Sequence, residues 1–382
     1  MSDFSQFIDI ARSIYGTKAF IPLHEPCFDT KEKEYVTKTI DSTFVSSVGK
    51  FVDDFELAIA DYTGAGKAAA MVNGTAALQV ALRIAGLEQN TEVITQALTF
   101  VATPNAIRYN GASPVFVDVD YDTMGMSPDA LEDFLEEFGE LRETGTFNKS
   151  TGKRIAAIMP MHTFGFMCKI DRIVDVADKW QIPVIEDSAE SLGSFYKGKS
   201  SGTFGIMGAF SFNGNKIITS GGGGALISKD PEYATKAKYL TNTAKVPHAW
   251  EYYHDELGYN FRMPNLNAAL ALAQFEKLNR FIASKREVYN IYKEELDLQG
   301  FKVKEIPKET TWNYWLVPIE FEDKESKDNF LAYTNGNNVM TRPIWQLMFE
   351  LPMYKDCQRD GQKNALLLSE RIVNIPSSAR NI

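Results

Sequence analysis

Apolar and polar positions between residues 69 and 187 follow one repeated pattern, a short apolar run and then a segment with helical spacing. The apolar runs lie near 69–72, 92–95, 155–159 and 182–185. Strands that alternate with helices in this way predict a parallel sheet wrapped by helices, which is an α/β fold. Such sheets bind their ligands beyond the carboxyl ends of the strands. Functional residues are therefore expected directly after the apolar runs.

The rest of the chain is predicted to add helices around this sheet and a second, smaller domain. Helical spacing is found at residues 3–15, from about Asp29, at 51–63, at 127–141 with Ser127 as N-cap, near 325–334 and near 361–372, and a long helical stretch begins at Pro264. The polar segment 143–154 is predicted to be a surface loop. Residues 1–259 would then form a large domain with an N-terminal arm, and residues 260–382 a smaller α+β domain.

Two strand ends carry residues that suit chemistry on a planar cofactor. The run 182–185 is followed by Glu186 and Asp187, and a second apolar run, 209–212, is followed by Lys216. Pyridoxal phosphate needs such a pair, because its aldehyde forms a Schiff base with a lysine amine and a carboxylate keeps its pyridine nitrogen protonated. We assign Lys216 to the aldehyde and Asp187 to the ring nitrogen.

A phosphate site is predicted where the apolar run 69–72 ends. Asn73, Gly74 and Thr75 stand between the apolar run and a helix of small residues. The N-terminus of a helix offers unpaired N–H groups and the positive end of its dipole to an anion. A plain N-cap is the alternative interpretation of the same residues. The lysine downstream favours the phosphate.

Three segments carry a family resemblance. The segments VIEDSAESLGS (184–194), GAFSFNGNK (208–216) and SGGGGALIS (220–228) resemble the DegT/DnrJ/EryC1/StrS family of pyridoxal-phosphate enzymes, which are sugar aminotransferases, and the resemblance runs through nearly the whole chain. It implies an aspartate-aminotransferase-like fold, fold type I, with a mostly parallel sheet in the large domain. It also implies that Lys216 and Asp187 hold the two positions assigned to them above.

The resemblance extends to further cofactor positions. Glu190 falls near the phenolic oxygen of the cofactor, where the family often has Gln or His, and Ser211 falls at a phosphate position together with Gly74 and Thr75. Phe100 falls where the family carries a residue over the cofactor ring, and a core phenylalanine is the alternative.

Two asparagines complete the cofactor set. Asn260 matches an asparagine that in relatives reaches the phosphate of the neighbouring subunit, so the resemblance implies a homodimer with shared active sites. Asn213 is a further cofactor candidate. Satisfying backbone groups at a strand end is the alternative role for both Ser211 and Asn213.

The resemblance also implies an amino transfer in two stages. L-glutamate donates the amine and leaves pyridoxamine phosphate, and a keto-sugar then receives the amine while Lys216 moves the proton in both stages. Residues 21–36, 123–131, 243–260 and 341–354 are most similar to enzymes that aminate C4 of UDP-2-acetamido-4-keto-2,6-dideoxyhexoses, en route to legionaminic acid or bacillosamine. The choice of uridine rests on the resemblance alone.

Three residues are substrate candidates. Lys245 and Arg342 are loop cations beside aromatic residues, which suits the diphosphate, and His162 follows a strand at the same edge as Asp187. Surface charge is the alternative for the two cations. A buried structural histidine is the alternative for His162.

Charge and cysteine content exclude several classes. The net charge of −10 argues against a nucleic-acid groove, since phosphate backbones are bound chiefly by clustered Lys and Arg. Three widely separated cysteines give neither a disulfide framework nor a metal cluster. No apolar run reaches the length of a membrane span and no signal peptide is recognisable at the start, so a cytoplasmic protein is expected.

Other activities of the same fold stay open. A sugar dehydratase of the family has histidine in place of the lysine, and Lys216 argues against it. A C3 aminotransferase and a GDP- or dTDP-sugar enzyme are alternatives. A non-catalytic regulator that binds the cofactor is a third, from another class of protein.

Overall fold

The computed structural model describes residues 4–380 of the chain. The α-helices in this part are α1 (Ser5–Tyr15), α2 (Thr30–Asp41), α3 (Lys50–Thr63), α4 (Gly74–Ile84), α5 (Ala102–Tyr109), α6 (Pro128–Phe138), α7 (Ile170–Lys179), α8 (Pro231–Thr241), α9 (Asn265–Phe275), α10 (Leu278–Leu298), α11 (Lys324–Gly336) and α12 (Lys363–Ser369). The strands are β1 (Lys67–Met71), β2 (Glu92–Gln96), β3 (Ser113–Val117), β4 (Gly139–Arg142), β5 (Gly145–Asn148), β6 (Ile155–Met159), β7 (Ile185–Asp187), β8 (Phe195–Tyr196), β9 (Lys199–Ser200), β10 (Met207–Ser211), β11 (Gly224–Ser228), β12 (Lys302–Val303), β13 (Thr310–Thr311), β14 (Val317–Glu320), β15 (Arg342–Pro343) and β16 (Ile372–Ile375). None of the described helices combines the length and the apolar character needed to cross a membrane.

A central sheet has the strand order β3, β2, β6, β7, β10, β11, β1. Strands β3, β2 and β6 pair in parallel, as do β7 and β10, and single parallel bridges at Ile158–Val184 and Met161–Asp187 join the two groups. Strand β11 runs antiparallel to both of its neighbours. The expected α/β fold with a mostly parallel sheet is confirmed. Parallel strands need near-continuous apolar runs because helices cover both of their faces, which is the pattern seen in the sequence.

A second, antiparallel sheet has the order β12, β14, β16, β15 and belongs to the C-terminal part of the chain. Helix α1 packs beside it through aromatic rings, with the Phe7 and Phe330 centroids 4.8 Å apart. The Leu23 carbonyl accepts a hydrogen bond from the Ser377 N–H at 2.8 Å. The N-terminal arm therefore packs against C-terminal elements, whereas α9 packs against α2 and α3. The division of the chain at residue 260 stays a prediction.

The segment expected to continue a helix and then form a surface loop is a β-hairpin instead. Helix α6 ends at Phe138, and β4 pairs antiparallel with β5 around the turn at Glu143 and Thr144. A glycine is needed where the chain leaves the helix, since a Cβ at Gly139 would lie 2.4 Å from the Leu135 carbonyl oxygen and 2.7 Å from the Trp180 ring. The buried side chains of β5 are the polar Thr146 and Asn148, so the hydropathy of the sequence does not mark this strand.

Two helix predictions also need correction. The long helical stretch is interrupted between α9 and α10, where buried Lys277 forms ion pairs with Asp29 and Glu32. The last helix ends at Ser369, earlier than predicted, because the chain enters strand β16 at Ile372. Strand β16 is buried and occupies an inner position of the small sheet.

Candidate active site

The carboxyl ends of β1, β6, β7 and β10 meet at a cavity of about 190 Å³. This is the edge at which α/β sheets bind their ligands. The lining residues are Asn73, Gly74, Thr75, Leu78, Phe100, Ala102, Met161, Asp187, Ala189, Glu190, Ser211, Asn213 and Lys216. All the cofactor residues predicted from the sequence lie here except Asn260.

The N-terminus of α4 forms one wall of this cavity. The Asn73 side chain caps the helix by accepting the Ala76 N–H at 2.8 Å. The first N–H groups of a helix have no partner within the helix, so those of Gly74 and Thr75 remain for a ligand beside them. Gly74 also lies against Ser211, where an added Cβ would come within 2.9 Å of the serine Cβ. The glycine thus keeps space for an anion between the helix end and β10.

Asp187 ends β7 inside the cavity and is 3% exposed. Its Oδ2 accepts a hydrogen bond from the Thr103 hydroxyl at 2.7 Å, and its Oδ1 accepts the Ala189 N–H at 3.2 Å. Burial raises the pKa of Asp187, against the opposing effects of these hydrogen bonds and of the positive charge of Lys216. A protonated ring nitrogen placed in the cavity would stabilise the buried carboxylate, so this residue fits pyridoxal phosphate.

Lys216 extends into the same cavity with a side chain that is 12% exposed. Its Nζ lies 3.1 Å from Glu190 Oε1 and 4.0 Å from the centroid of the Trp315 ring. The other oxygen of Glu190 accepts the Phe164 N–H at 2.9 Å. Burial raises the pKa of Glu190, and the charge of Lys216 opposes this effect. The amine therefore contacts a buried carboxyl group and an indole face, in the same cavity as Asp187.

Phe100 lies at the mouth of the cavity with half of its surface exposed, so it is not a core phenylalanine. Its ring centroid is 6.4 Å from that of Trp345. Asn213 lines the cavity from an exposed position after β10. Both placements leave these side chains free to touch a bound ligand, and their assigned roles stay predictions.

His162 requires a correction, because the structure does not bring it to the cavity. Its ring is fully buried, with Nε2 3.0 Å from Glu186 Oε2, and its Nδ1 accepts the Cys168 N–H at 3.2 Å. An Nδ1 that accepts a hydrogen bond carries no proton, so the ring donates from Nε2 to Glu186. The carboxylate of Glu186 also accepts backbone N–H groups from Gly202, Phe204 and Gly205 at 2.7–2.8 Å. His162 is thus the buried structural histidine that was the alternative.

The remaining substrate and partner candidates also lie outside this cavity. Lys245 packs its Nζ over the Tyr252 ring at 4.1 Å, and Arg342 on β15 donates to Asn335 at 3.2 Å. The Asn260 side chain is exposed at a single antiparallel bridge to Asn242. None of the three lines the cavity of its own subunit.

Sequence reasoning missed Thr103 and Trp315. Thr103 lies in the first turn of α5, and its hydroxyl carries no pattern that points to Asp187. Trp315 lies shortly before β14, and nothing in the sequence around it points to Lys216. Their contacts with the active site are tertiary, between elements that are far apart in the chain.

A larger cavity, of about 770 Å³, lies elsewhere and contains none of the predicted residues. Five of its lysines pair with carboxylates: Lys169 with Asp120, Lys197 with Asp171, Lys293 with Glu305, and both Lys302 and Lys304 with Glu320. These positive charges are neutralised within the fold. The smaller cavity, where the reactive groups converge, is therefore the candidate active site. Among residues 4–380, no group of three or more His, Cys, Asp or Glu side chains is placed to hold a metal ion.

Comparison with known proteins agrees with this geometry. The sequence profile of the DegT/DnrJ/EryC1/StrS aminotransferase family matches residues 26–380. The chain is 37% identical over 360 residues to GDP-perosamine synthase of Escherichia coli O157:H7, covering 94% of this chain and 93% of that protein. It is 38% identical over 335 residues to the putative pyridoxal phosphate-dependent aminotransferase EpsN of Bacillus subtilis, covering 87% and 84%. A crystal structure of a DegT DnrJ EryC1 StrS aminotransferase from Brucella abortus superposes with a TM-score of 0.83 at 26% identity, covering 91% and 90%.

Proposed function

Because the chain belongs to the DegT/DnrJ/EryC1/StrS aminotransferase family, it is a pyridoxal-phosphate-dependent nucleotide-sugar aminotransferase, and we propose that it moves an amino group from L-glutamate to C4 of a nucleotide-linked 4-keto-6-deoxyhexose. The family confirms the expected enzyme class and cofactor. The proposed chemistry rests on one observation: Lys216, Asp187 and Gly74 at the N-terminus of α4 all line the same cavity.

Two nucleotide sugars are candidates. The resemblance of residues 21–36, 123–131, 243–260 and 341–354 favours a UDP-2-acetamido-4-keto-2,6-dideoxyhexose, and with it a pathway to legionaminic acid or bacillosamine. The identity of 37% over 94% of the chain to a GDP-perosamine synthase favours a GDP-linked sugar. The two candidates share the chemistry at the amino group and differ in the base that the enzyme must bind.

The cavity residues divide this chemistry among them. When bound, pyridoxal phosphate draws electrons away from the carbon that carries the amine. Asp187 would hold a proton on the ring nitrogen, and Lys216 would hold the aldehyde and then, once freed, move a proton between the donor carbon and the cofactor carbon. The α4 N-terminus with Ser211 would bind the phosphate, and Phe100 would cover the ring and exclude water.

Glu190 would face the phenolic oxygen of the cofactor. Its buried carboxyl group already lies beside the Lys216 amine, and the Phe164 N–H fixes its orientation. Because burial raises the pKa of Glu190, a protonated carboxyl group is favoured there more than on the surface, and that form can donate a hydrogen bond to an oxygen. A glutamate can therefore serve where many relatives have glutamine.

The substrate is proposed to bind between two copies of the chain. At about 190 Å³ the cavity is smaller than the roughly 300–1,000 Å³ of sites for larger ligands, so a nucleotide sugar must extend beyond its mouth. Large side chains are exposed at Phe44, Val48, Trp250 and Tyr252, which are 59–83% accessible, and such residues suit a subunit interface. We therefore propose a homodimer in which exposed Asn260 reaches the phosphate in the other subunit's cavity.

A panel of UDP-, GDP- and dTDP-linked 4-keto-sugars with L-glutamate tests the proposal. Mass spectrometry and NMR of the product identify the sugar that receives the amine and the carbon that carries it. We expect transfer to C4 and a preference of about 100-fold or more in kcat/KM for one nucleotide, since a base site with unpaired polar groups rejects the wrong base strongly. Lys216→Ala is the control for background reaction.

The outcomes of the panel are distinct. Transfer to the GDP-sugar but not to the UDP-sugar decides for the second candidate. Amination at C3 contradicts the proposed position, and absence of transfer to every keto-sugar in protein that holds its cofactor contradicts the proposed acceptor class.

A further inference from the structure

Residues 312–315, a short segment upstream of β14, are buried and tie together three backbone segments of the active site. The Trp312 indole N–H donates to the Phe164 carbonyl at 2.9 Å, and the Trp315 indole N–H donates to the Asn215 carbonyl at 2.6 Å. Between them, the Asn313 side-chain amide donates to the Glu190 and Leu192 carbonyls at 2.7 and 3.0 Å. This segment thus fixes the main chain before Lys216 and that of Glu190, the two residues that meet at the amine.

The local backbone aims these side chains. Tyr314 adopts a left-handed conformation with φ 57°, and Asn313 Oδ1 accepts the Trp315 N–H at 3.0 Å, which stabilises the bend. Gly165 allows the close approach of Asn313, because a Cβ there would lie 2.2 Å from its Oδ1. A residue in the left-handed region costs free energy, so the surrounding contacts must determine this conformation.

Trp315 makes two separate contacts with the catalytic lysine. Its indole N–H binds the carbonyl of Asn215, the residue directly before Lys216, and its ring face lies 4.0 Å from Lys216 Nζ. Glu190 Oε1 also contacts the amine, at 3.1 Å. Trp315 is 3% exposed, and a cation held over an indole face is most strongly attracted where water is excluded. One contact restrains the main chain of the lysine and the other its side chain.

We infer that Trp315 is the positioning residue of Lys216: it fixes the peptide that carries the lysine and holds the amine beside Glu190 whenever the amine is not bonded to the cofactor. This inference rests on the proposed role of Lys216. The amine would then stay within reach of the cofactor carbon after each displacement by a donor, instead of rotating away, which a flexible four-carbon side chain would otherwise allow.

The test separates attachment of the lysine from binding of the cofactor. Cofactor-free wild type, Trp315→Phe and Trp315→Leu are mixed with pyridoxal phosphate, and stopped-flow absorbance follows the formation of the covalent link. Dissociation constants for pyridoxamine phosphate, which forms no link to a lysine, are measured by calorimetry. We expect the Leu variant to form the link about tenfold or more slowly, and the Phe variant, which keeps a ring face, to be intermediate. Binding of pyridoxamine phosphate should stay within about twofold of wild type, because its phosphate site is intact.

Trp312→Phe is the matched control. It removes an indole hydrogen bond from the same buried segment but touches no atom of Lys216. The inference is overturned if Trp315→Leu forms the covalent link to the cofactor as fast as wild type. It is also overturned if Trp315→Leu loses link formation and pyridoxamine phosphate binding together and Trp312→Phe shows the same two losses. If the Leu variant does not fold, the comparison of the two Phe variants decides: equal rates overturn the inference, and a slow rate in Trp315→Phe alone supports it. Borohydride reduction and peptide mapping of wild type test the proposed role of Lys216 separately from that of Trp315. A label on a lysine other than Lys216 contradicts the proposed function itself.

Discussion

The carboxylates of Glu186 and Asp187 point to opposite sides of the central sheet, although the two residues are consecutive. Glu186 accepts the Gly205 N–H at 2.8 Å and binds His162, whereas Asp187 lines the active-site cavity. Successive side chains of a strand alternate between its faces, so one acid is committed to the fold and the other to a ligand. The pair therefore allows the two kinds of role to be separated by neighbouring substitutions.

Asp187→Asn should stabilise the cofactor-free protein while it removes most of the activity. Burial raises the pKa of Asp187, and a carboxyl group with a raised pKa favours folding at low pH, an effect that is lost as the pH rises through the folded-state value. The neutral variant escapes this loss, so it should be more stable than wild type at pH 7 by about 0.5–2 kcal/mol, with a smaller gain near pH 4. Urea unfolding across this pH range measures the difference. Amino transfer should fall by orders of magnitude, because the charge that holds the ring proton is gone.

Glu186→Gln is the control for this prediction and should act in the opposite direction. Both oxygens of Glu186 accept N–H groups, and the glutamine variant replaces one of these oxygens by an NH₂ group that can only donate. The resulting contact between two donors should destabilise the fold by about 2–4 kcal/mol. A gain in stability from Glu186→Gln, or a loss from Asp187→Asn at pH 7, would contradict the separate roles of the two acids.

Lys216→Ala should abolish the covalent link to the cofactor. The Lys216 amine is the one that extends into the cavity beside Asp187 and Glu190. We expect reduction with borohydride to attach the cofactor to Lys216 in wild type and to leave the variant unlabelled, as measured by mass spectrometry of the intact protein and its peptides. Lys245→Ala, which changes a lysine outside the cavity, should be labelled as wild type is. Labelling of Lys216→Ala at another lysine would show that the assignment is wrong.

Gly74→Ala should weaken cofactor binding by about tenfold or more, because hydrogen bonds to a charged phosphate contribute most when their geometry is undisturbed. An added Cβ would lie 2.9 Å from Ser211 Cβ, which pushes apart the two walls of the phosphate site. Gly214→Ala is the matched control, since a Cβ at Gly214 meets nothing within 4 Å. Fluorescence titration with pyridoxal phosphate compares the two, and equal affinities would argue against a phosphate at the α4 N-terminus.

Three of the residues that the sequence identified share one physical property, which is that each follows shortly after an apolar run. Asp187, Lys216 and Gly74 could be found because parallel strands bring their carboxyl ends to the same edge. The same argument selected His162 and was wrong there. A strand end determines where a residue lies along the sheet, and the direction of a side chain beyond the last regular pair depends on the loop that follows.

The residues that sequence reasoning missed act across the fold. Thr103 reaches Asp187 over 84 positions, and Trp315 reaches Asn215 over 100. Neither contact has a local periodicity that would mark it in the sequence. Such contacts become visible only when the packing of distant elements against one another is known. The hairpin of β4 and β5 was missed for a related reason, because the buried side chains of β5, Thr146 and Asn148, are polar and give no hydrophobic alternation.

The shared site can be tested by mixing two inactive homodimers. If Asn260 binds the phosphate in the other subunit, Lys216→Ala and Asn260→Ala damage different copies of the site when they meet in one dimer. A mixed dimer then has one site with both defects and one intact site. Random exchange makes about half of the dimers mixed, so activity should recover to about a quarter of wild type per subunit. Activity is measured at limiting pyridoxal phosphate, since the lost hydrogen bond costs only about 1.5–3 kcal/mol and excess cofactor would mask it.

The result depends on subunit exchange, which a pull-down with differently tagged subunits verifies. Asn260→Ala must be strongly impaired alone, because a partly active parent would contribute to the mixture without complementation. Simple averaging of the two parents after verified exchange would mean that Asn260 acts within its own subunit or has no role in binding the phosphate. Recovery above that average requires that the two residues belong to different chains of the same site. The exposed position of Asn260, outside the cavity of its own subunit, leads us to expect recovery.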